Sequence, residues 1–265
     1  MPKSIALLAV RVINVWVCAN ITFRSFILGW SVEITKLSLW LKTAQSKKKL
    51  TYLDRNVRQG NSVVSDRRVD PLAFDWGVAP DPFVLSELDP ADRADAVAVD
   101  ARWREGFDVV LANPPYVRQE LLTAYKEHWQ ASFRAYDGTA DLFVYFFERS
   151  LQQLKPGGRL GFNVSNKWLR GGYAEKLRAM FAKQCTIDTM VDFGHAPIFP
   201  GTDAFPCIIT LRKSPPPPEH AVRVTLYPRE ELGKELLASY VEEHRFPMPQ
   251  AKLDSAGWTL EPPGV

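Results

Sequence analysis

The stretch Phe107-Asp-Val-Val-Leu-Ala-Asn-Pro-Pro-Tyr116 decides the fold. Phe107–Ala112 is a short apolar run with β-branched residues and reads as a buried strand. Two prolines stop it at Asn113-Pro-Pro-Tyr116, because proline lacks the N–H that a neighbouring strand would bind. Downstream the hydrophobic period changes. Asp141–Leu154 sets Phe143, Phe147, Leu151 and Leu154 on one face, which predicts a helix, and Lys155-Pro-Gly-Gly158 reads as its stop and turn. Arg159–Val164 reads as a second buried strand. Tyr173–Gln184 reads as a second helix with Leu177, Met180 and Phe181 inward, and Thr186–Phe193 and Cys207–Leu211 as further strands. This alternation predicts an α/β sheet whose early pairs are parallel.

Working outward, Ser31–Thr43 has the spacing of an amphipathic helix, and Lys47–Lys49 forms a basic turn. Val57–Val64 suits a short strand. Asp66–Gly106 is rich in Pro, Asp and Arg and reads as a long loop with a short helix near Ala91–Arg104. On the other side, Ser214-Pro-Pro-Pro-Pro218 is a stiff linker. Ala221–Tyr227 suits an edge strand, Arg229–Glu243 a charged surface helix, and the tail from Phe246 has no periodicity. No internal repeat is present. Ile5–Trp30 is apolar but interrupted by Arg11 and Arg24, and its longest charge-free run, Val12–Phe23, is far short of the ~20 residues a spanning helix needs. No small-x-small cleavage site follows Lys3 and Ile5–Val10. Two strands, within Ile5–Val17 and at Thr22–Leu28, are expected there.

At 265 residues, with 46% hydrophobic and 24% charged residues, the chain is neither disordered, collagen-like nor a polytopic membrane protein. The net charge of +3 hides an asymmetry: residues 1–70 hold 12 Lys/Arg against 4 Asp/Glu, and residues 71–110 hold 3 against 9. The chain is not a polycation, so composition alone does not imply nucleic-acid binding. Cys18, Cys185 and Cys207 are scattered and odd in number, which points to no disulfide framework and to a reducing, cytoplasmic setting. Cys185 and Cys207 read as core residues. His128, His195, His220 and His244 lack metal-ligand spacing, so no metal is expected.

The chemistry gathers at Asn113-Pro114-Pro115-Tyr116. Open α/β sheets bind ligands at the carboxyl ends of their strands, and this tetrapeptide stands at such an end. The Asn113 side-chain carbonyl and the Pro114 backbone carbonyl are acceptors that the prolines hold in place, and Tyr116 offers a flat face. Two converging acceptors can take both hydrogens of an exocyclic NH₂ and turn its nitrogen lone pair towards an electrophile. The bland alternative is a plain Asn-Pro-Pro turn after a strand.

Val109-Val-Leu-Ala-Asn-Pro-Pro-Tyr-Val-Arg118 resembles the catalytic signature of amino-methyltransferases that use S-adenosylmethionine, nearest to the adenine-specific DNA methyltransferases of type IIG restriction–modification and phage-exclusion systems. Supporting segments are Thr35–Lys42, Leu50–Asp54, Gly60-Asn-Ser62, Leu154–Leu160 with Lys167-Trp-Leu169, and Val191-Asp-Phe193 with Ile198-Phe-Pro200. The resemblance implies a Rossmann-like methyltransferase sheet with flanking helices. Its expected parts are an atypical segment 1–30, a partial catalytic core 31–213, and a linker, edge strand, helix and tail over 214–265 leading towards a target-recognition domain that the family carries after the position of Trp258 and that is expected to be absent here. It implies S-adenosylmethionine as methyl donor and double-stranded DNA as partner, with adenine N6 as acceptor. Asn113, Pro114, Pro115 and Tyr116 would be catalytic. Tyr116 and Phe199 would contact the flipped base. Arg118 and Lys167 follow sheet ends and could contact DNA phosphates, with a solvated face as the bland alternative. Asn61, Asp141 and Phe143 would line the cofactor pocket. The family's glycine-rich cofactor loop has no counterpart in residues 1–59, so that half is expected to be incomplete, truncated or frame-shifted, and a missing N-terminal half or specificity subunit is a possible partner. Two other readings stand beside this one. The same tetrapeptide occurs in enzymes that methylate the glutamine amide of translation release factors, and a non-catalytic remnant could bind nucleic acid or a partner without the cofactor.

Overall fold

A computed structural model describes residues 15–18, 37, 41, 60–74, 76, 90–115, 117–196, 198 and 205–262. The chain divides into two units, residues 21–107 and residues 1–20 with 108–265. In the first, a helix α1 (Pro90–Glu105) follows a turn at residues 60–74. Gly60 is required in that turn, since a Cβ there would lie 2.7 Å from the Phe74 ring.

Among the described residues the sheet has seven strands: β1 (Val15–Cys18), β2 (Phe107–Ala112), β3 (Leu154–Ser165), β4 (Thr186–Asp192), β5 (Pro206–Arg212), β6 (Ala221–Leu226) and β7 (Phe246–Pro249). Their spatial order is β1-β2-β3-β5-β4-β6-β7. β1 and β2 are parallel, with Val15 opposite Val109. β5 lies between β3 and β4 and runs antiparallel to both, pairing Val164 with Cys207 and Met190 with Ile209. β6 is parallel to β4, and β7 is antiparallel to β6. The result is the expected α/β sheet with helices in the β2–β3 and β3–β4 connections, but it is mixed in direction: β3 and β4 do not form a parallel pair, because antiparallel β5 lies between them.

Helix α2 (Lys126–Ser132) precedes α3 (Leu142–Gln153), whose first six residues are all buried. Phe147 on α3 stacks on Phe162 of β3 at 4.5 Å and meets Trp168 and Phe181 edge-on. Trp168 in turn meets Trp258 at 5.2 Å. Each such ring gains roughly 1.5–3 kcal/mol on full burial, so this cluster joins α3, β3, α4 (Glu175–Gln184) and the C-terminal tail. Next to Phe147, the buried carboxylate of Glu148 accepts from the backbone N–H groups of Arg134 and Ala135 at 2.9 and 2.7 Å, which offsets its desolvation.

Several boundaries differ from the sequence reading. Lys155-Pro-Gly-Gly158 is not a free turn: β3 begins at Leu154, and Gly157 (φ 76°) and Gly158 pair with Lys213. Val57–Val64 does not form a strand over its described part. Residues 60–64 make a turn with a lone bridge from Asn61 to Ala73. The helix at Tyr173–Gln184 starts later, after a 3₁₀ turn at Gly172–Ala174. Arg229–Glu243 breaks at Gly233 (φ 78°) into a 3₁₀ turn and helix α5 (Leu237–His244). The tail is ordered, because Phe246–Pro249 caps the sheet edge, so Ala221–Leu226 is not the edge strand. Prolines at 247 and 249 suit an outermost strand, where a missing N–H costs no ladder bond. The expected elements before residue 60 lie outside the described residues apart from β1 and residues 37 and 41, which are helical as the Ser31–Thr43 pattern predicts.

Gln250 explains why this tail holds. Its side chain accepts from the Ile187 N–H at 2.9 Å and donates to the Cys185 carbonyl at 2.7 Å, beside the register shift in β4. Gln250→Ala would leave both buried backbone groups unpaired. It is expected to lower stability by about 2–4 kcal/mol, measured by denaturant or thermal unfolding; an unchanged midpoint would show that the tail does not brace β4.

Candidate active site

Asn113-Pro114-Pro115 begins where β2 ends. The prolines are buried and Asn113 is half-buried. The Asn113 Oδ1 atom is shielded from solvent and accepts no hydrogen bond among the described residues. The Pro115 carbonyl accepts from the Val117 N–H at 3.1 Å, whereas no described backbone N–H donates to the Pro114 carbonyl. The Val117 carbonyl takes the Leu142 N–H at 3.2 Å, which fastens the first turn of α3 to this loop. Tyr116 and Phe199 lie outside the described residues.

Asp141 occupies the N-cap position of α3 but makes no side-chain cap bond. Burial raises its carboxyl above the ordinary range; the Gln119 N–H, Lys167 and Arg118 work against that, and Glu120 adds to it. Three residues singled out from the sequence, Arg118, Asp141 and Lys167, therefore share one electrostatic neighbourhood. Arg118 and Lys167 are exposed, as phosphate-contacting side chains need to be. Phe143 is buried and meets the Tyr173 ring edge-on at 6.4 Å.

Tyr173 is a residue that periodicity assigned merely to a helix. Its hydroxyl is shielded and has no hydrogen-bond partner among the described residues. Burial and then Asp141 push the phenol well above its ordinary range. Gly171 makes room for the ring, since a Cβ there would fall 2.6 Å from it. The sequence signal was Gly171-Gly172 before an aromatic, just after Lys167-Trp-Leu. Arg178 pins this loop by donating to the carbonyls of Trp168 and Gly171 at 2.6 and 2.8 Å and of Ser255 at 3.0 Å.

Asn61 belongs to the other unit. Its Nδ2 donates to Asp70 at 2.8 Å, and its Oδ1 takes the Val63 N–H at 3.3 Å, so the amide braces its own turn. At the far end of β4, Asp192 accepts from Asn166 Nδ2 and the Gly194 N–H, both at 2.9 Å, and His195 packs edge-on against Phe205. Cys185 and Cys207 are core residues, their thiols pushed up to about 12 by burial. Among the described residues no cluster of His, Cys, Asp and Glu could hold a metal, and no helix is long and apolar enough to cross a membrane. A cavity of about 290 Å³ beside Phe193, Ile198 and Tyr227 does not include Asn113.

Asp141 gives a pH signature. Its folded pKa is raised, so it favours folding most below the unfolded carboxylate pKa, about 3.9, and this contribution is lost as pH rises through the folded value. Asp141→Asn is therefore expected to raise the thermal midpoint at pH 7, with the gain closing as pH falls below about 4. A lower midpoint at pH 7 would contradict the assignment of burial as the dominant influence.

The description Eco57I restriction-modification methylase belongs to a family whose model matches residues 27–199. The type II methyltransferase M.XhoI of Xanthomonas vasicola is 37% identical over 121 residues, covering 45% of this chain and 22% of that protein. M.PaeR7I of Pseudomonas aeruginosa is 36% identical over 113 residues, covering 40% and 19%. The chain thus spans about a fifth of the length of these curated relatives. Among solved structures, a type I restriction-modification methyltransferase subunit from Streptococcus thermophilus aligns at TM-score 0.40 and 17% identity, covering 59% of this chain and 40% of that one. With about two thirds of its length matched by the family model, the chain belongs to the Eco57I restriction-modification methylase family.

Proposed function

We propose that this chain carries the methyl-transfer centre of a DNA adenine-N6 methyltransferase. The observation that supports this most is the shielded, donor-free Asn113 Oδ1 beside the Pro114 carbonyl. An acceptor that is buried and unpaired is costly, by about 1–3 kcal/mol, and an NH₂ donor entering the site relieves that cost. Asn113 and Pro114 would take the two amine hydrogens, and Pro115, buried and bonded to Val117, would keep their angle fixed. With both hydrogens held, the nitrogen lone pair stands perpendicular to the base plane. Tyr116 and Phe199 would stack on a base that has left the helix, and Arg118 and Lys167 would meet the flanking phosphates.

S-adenosylmethionine would supply an electrophilic methyl group on a sulfonium. The residues at the α3 start suit that ligand in part: the Asp141 carboxyl takes one backbone bond from Gln119 and has further acceptor positions, and Phe143 gives an apolar wall. Asn61 would have to exchange its bond to Asp70 to reach a ligand.

Asn113→Ala is expected to abolish transfer of a labelled methyl group to adenine in DNA while leaving the unfolding midpoint no lower than that of the parent chain. Unchanged turnover would defeat the site. Labelling of a release-factor glutamine in place of DNA would favour the protein-amide reading. An absence of heat on titration with S-adenosylmethionine would favour a non-catalytic remnant.

A further inference from the structure

We propose that Tyr173 contacts the target base: its hydroxyl donates a hydrogen bond to a ring nitrogen next to the amine held by Asn113 and Pro114. This rests on the function proposed above and adds a substrate-contacting residue to it. A planar aminopurine presents its NH₂ beside ring nitrogens that can only accept. A pocket that offers only acceptors, Asn113 Oδ1 and the Pro114 carbonyl, satisfies the amine and leaves those nitrogens dry and unpaired. The complement is a buried donor with nothing else to bond.

Tyr173 has that character. Its hydroxyl is shielded from solvent and unpartnered among the described residues, as is Asn113 Oδ1. A chain of contacts places it beside the same loop: Val117, shortly after Asn113, accepts from Leu142 at 3.2 Å, and Phe143 on that same turn touches the Tyr173 ring. The ring position is built. Gly171 leaves space that any Cβ would fill, and buried Arg178 ties down the Trp168 and Gly171 carbonyls on the same loop. A tyrosine needed only for packing would be served as well by phenylalanine, without the cost of desolvating a hydroxyl. Burial, and then the neighbouring Asp141 carboxyl, favour a phenol that stays protonated, hence a donor.

Tyr173→Phe keeps the ring and removes the donor. On DNA carrying adenine, kcat/KM is expected to fall about tenfold or more. The affinity for S-adenosylmethionine should stay within about twofold, and the thermal midpoint should not drop. Replacing the target by 1-deazaadenine or 7-deazaadenine removes one ring nitrogen at a time. With one of these two bases the parent and Tyr173→Phe chains should become equal. Four results would overturn the proposal. Unchanged kcat/KM in Tyr173→Phe, with Asn113→Ala inactive, defeats this contact and leaves the proposed function standing. A loss of S-adenosylmethionine affinity places the hydroxyl on the cofactor side. A penalty that persists on both deaza bases marks the hydroxyl as structural. If the parent chain transfers no methyl group to any DNA, the proposed function itself fails and this contact with it.

Discussion

A buried amide oxygen without a donor is the constraint around which the rest is arranged. Proteins pair the great majority of such groups, because an unpaired one costs the full desolvation penalty. Here, among the described residues, no donor reaches the Asn113 Oδ1 atom just after β2. The two prolines that follow cannot donate to it, and they restrict the backbone so that it cannot fold back to find a partner. The loop is then tied to α3 through Val117 and Leu142. The open acceptor thus carries a local cost in stability, which the aromatic core offsets.

That core reaches the site indirectly. Phe147, Phe162, Trp168, Phe181 and Trp258 form one contact chain from α3 to the tail. Trp168 lies next to Lys167, and Arg178 bridges the loop after β3 to Ser255. The tail is part of the support: Trp258 donates its backbone N–H to Leu169, and Gln250 fills the irregularity in β4. A segment that looks aperiodic can therefore carry much of the rigidity on which a site depends.

The elements with strong periodicity were readable from the residues. β2, α3 and α4 follow directly from apolar spacing, and the Asn-Pro-Pro stop marks where β2 ends. Periodicity fails where side chains, not patterns, do the work. Nothing in Phe246-Pro-Met-Pro249 announces a strand, because its pairing depends on β6 and on the single side chain of Gln250. Gly233 breaks the charged helix through a positive φ that no amphipathic count detects. Tyr173 was counted as one more helix residue, since its unpartnered hydroxyl is a property of its surroundings. The approach of Arg118 and Lys167 to Asp141 is likewise tertiary, joining residues from three separate segments.

The most direct test is a comparison of binding to DNA whose target base is adenine or N6,N6-dimethyladenine, which has the same ring but no amine hydrogens. The parent chain should bind adenine more tightly by about tenfold or more, and in Asn113→Ala that preference should shrink towards equality. Equal affinity of the parent chain for both bases, or a preference that survives loss of the Asn113 side chain, would contradict an acceptor pair built to hold NH₂.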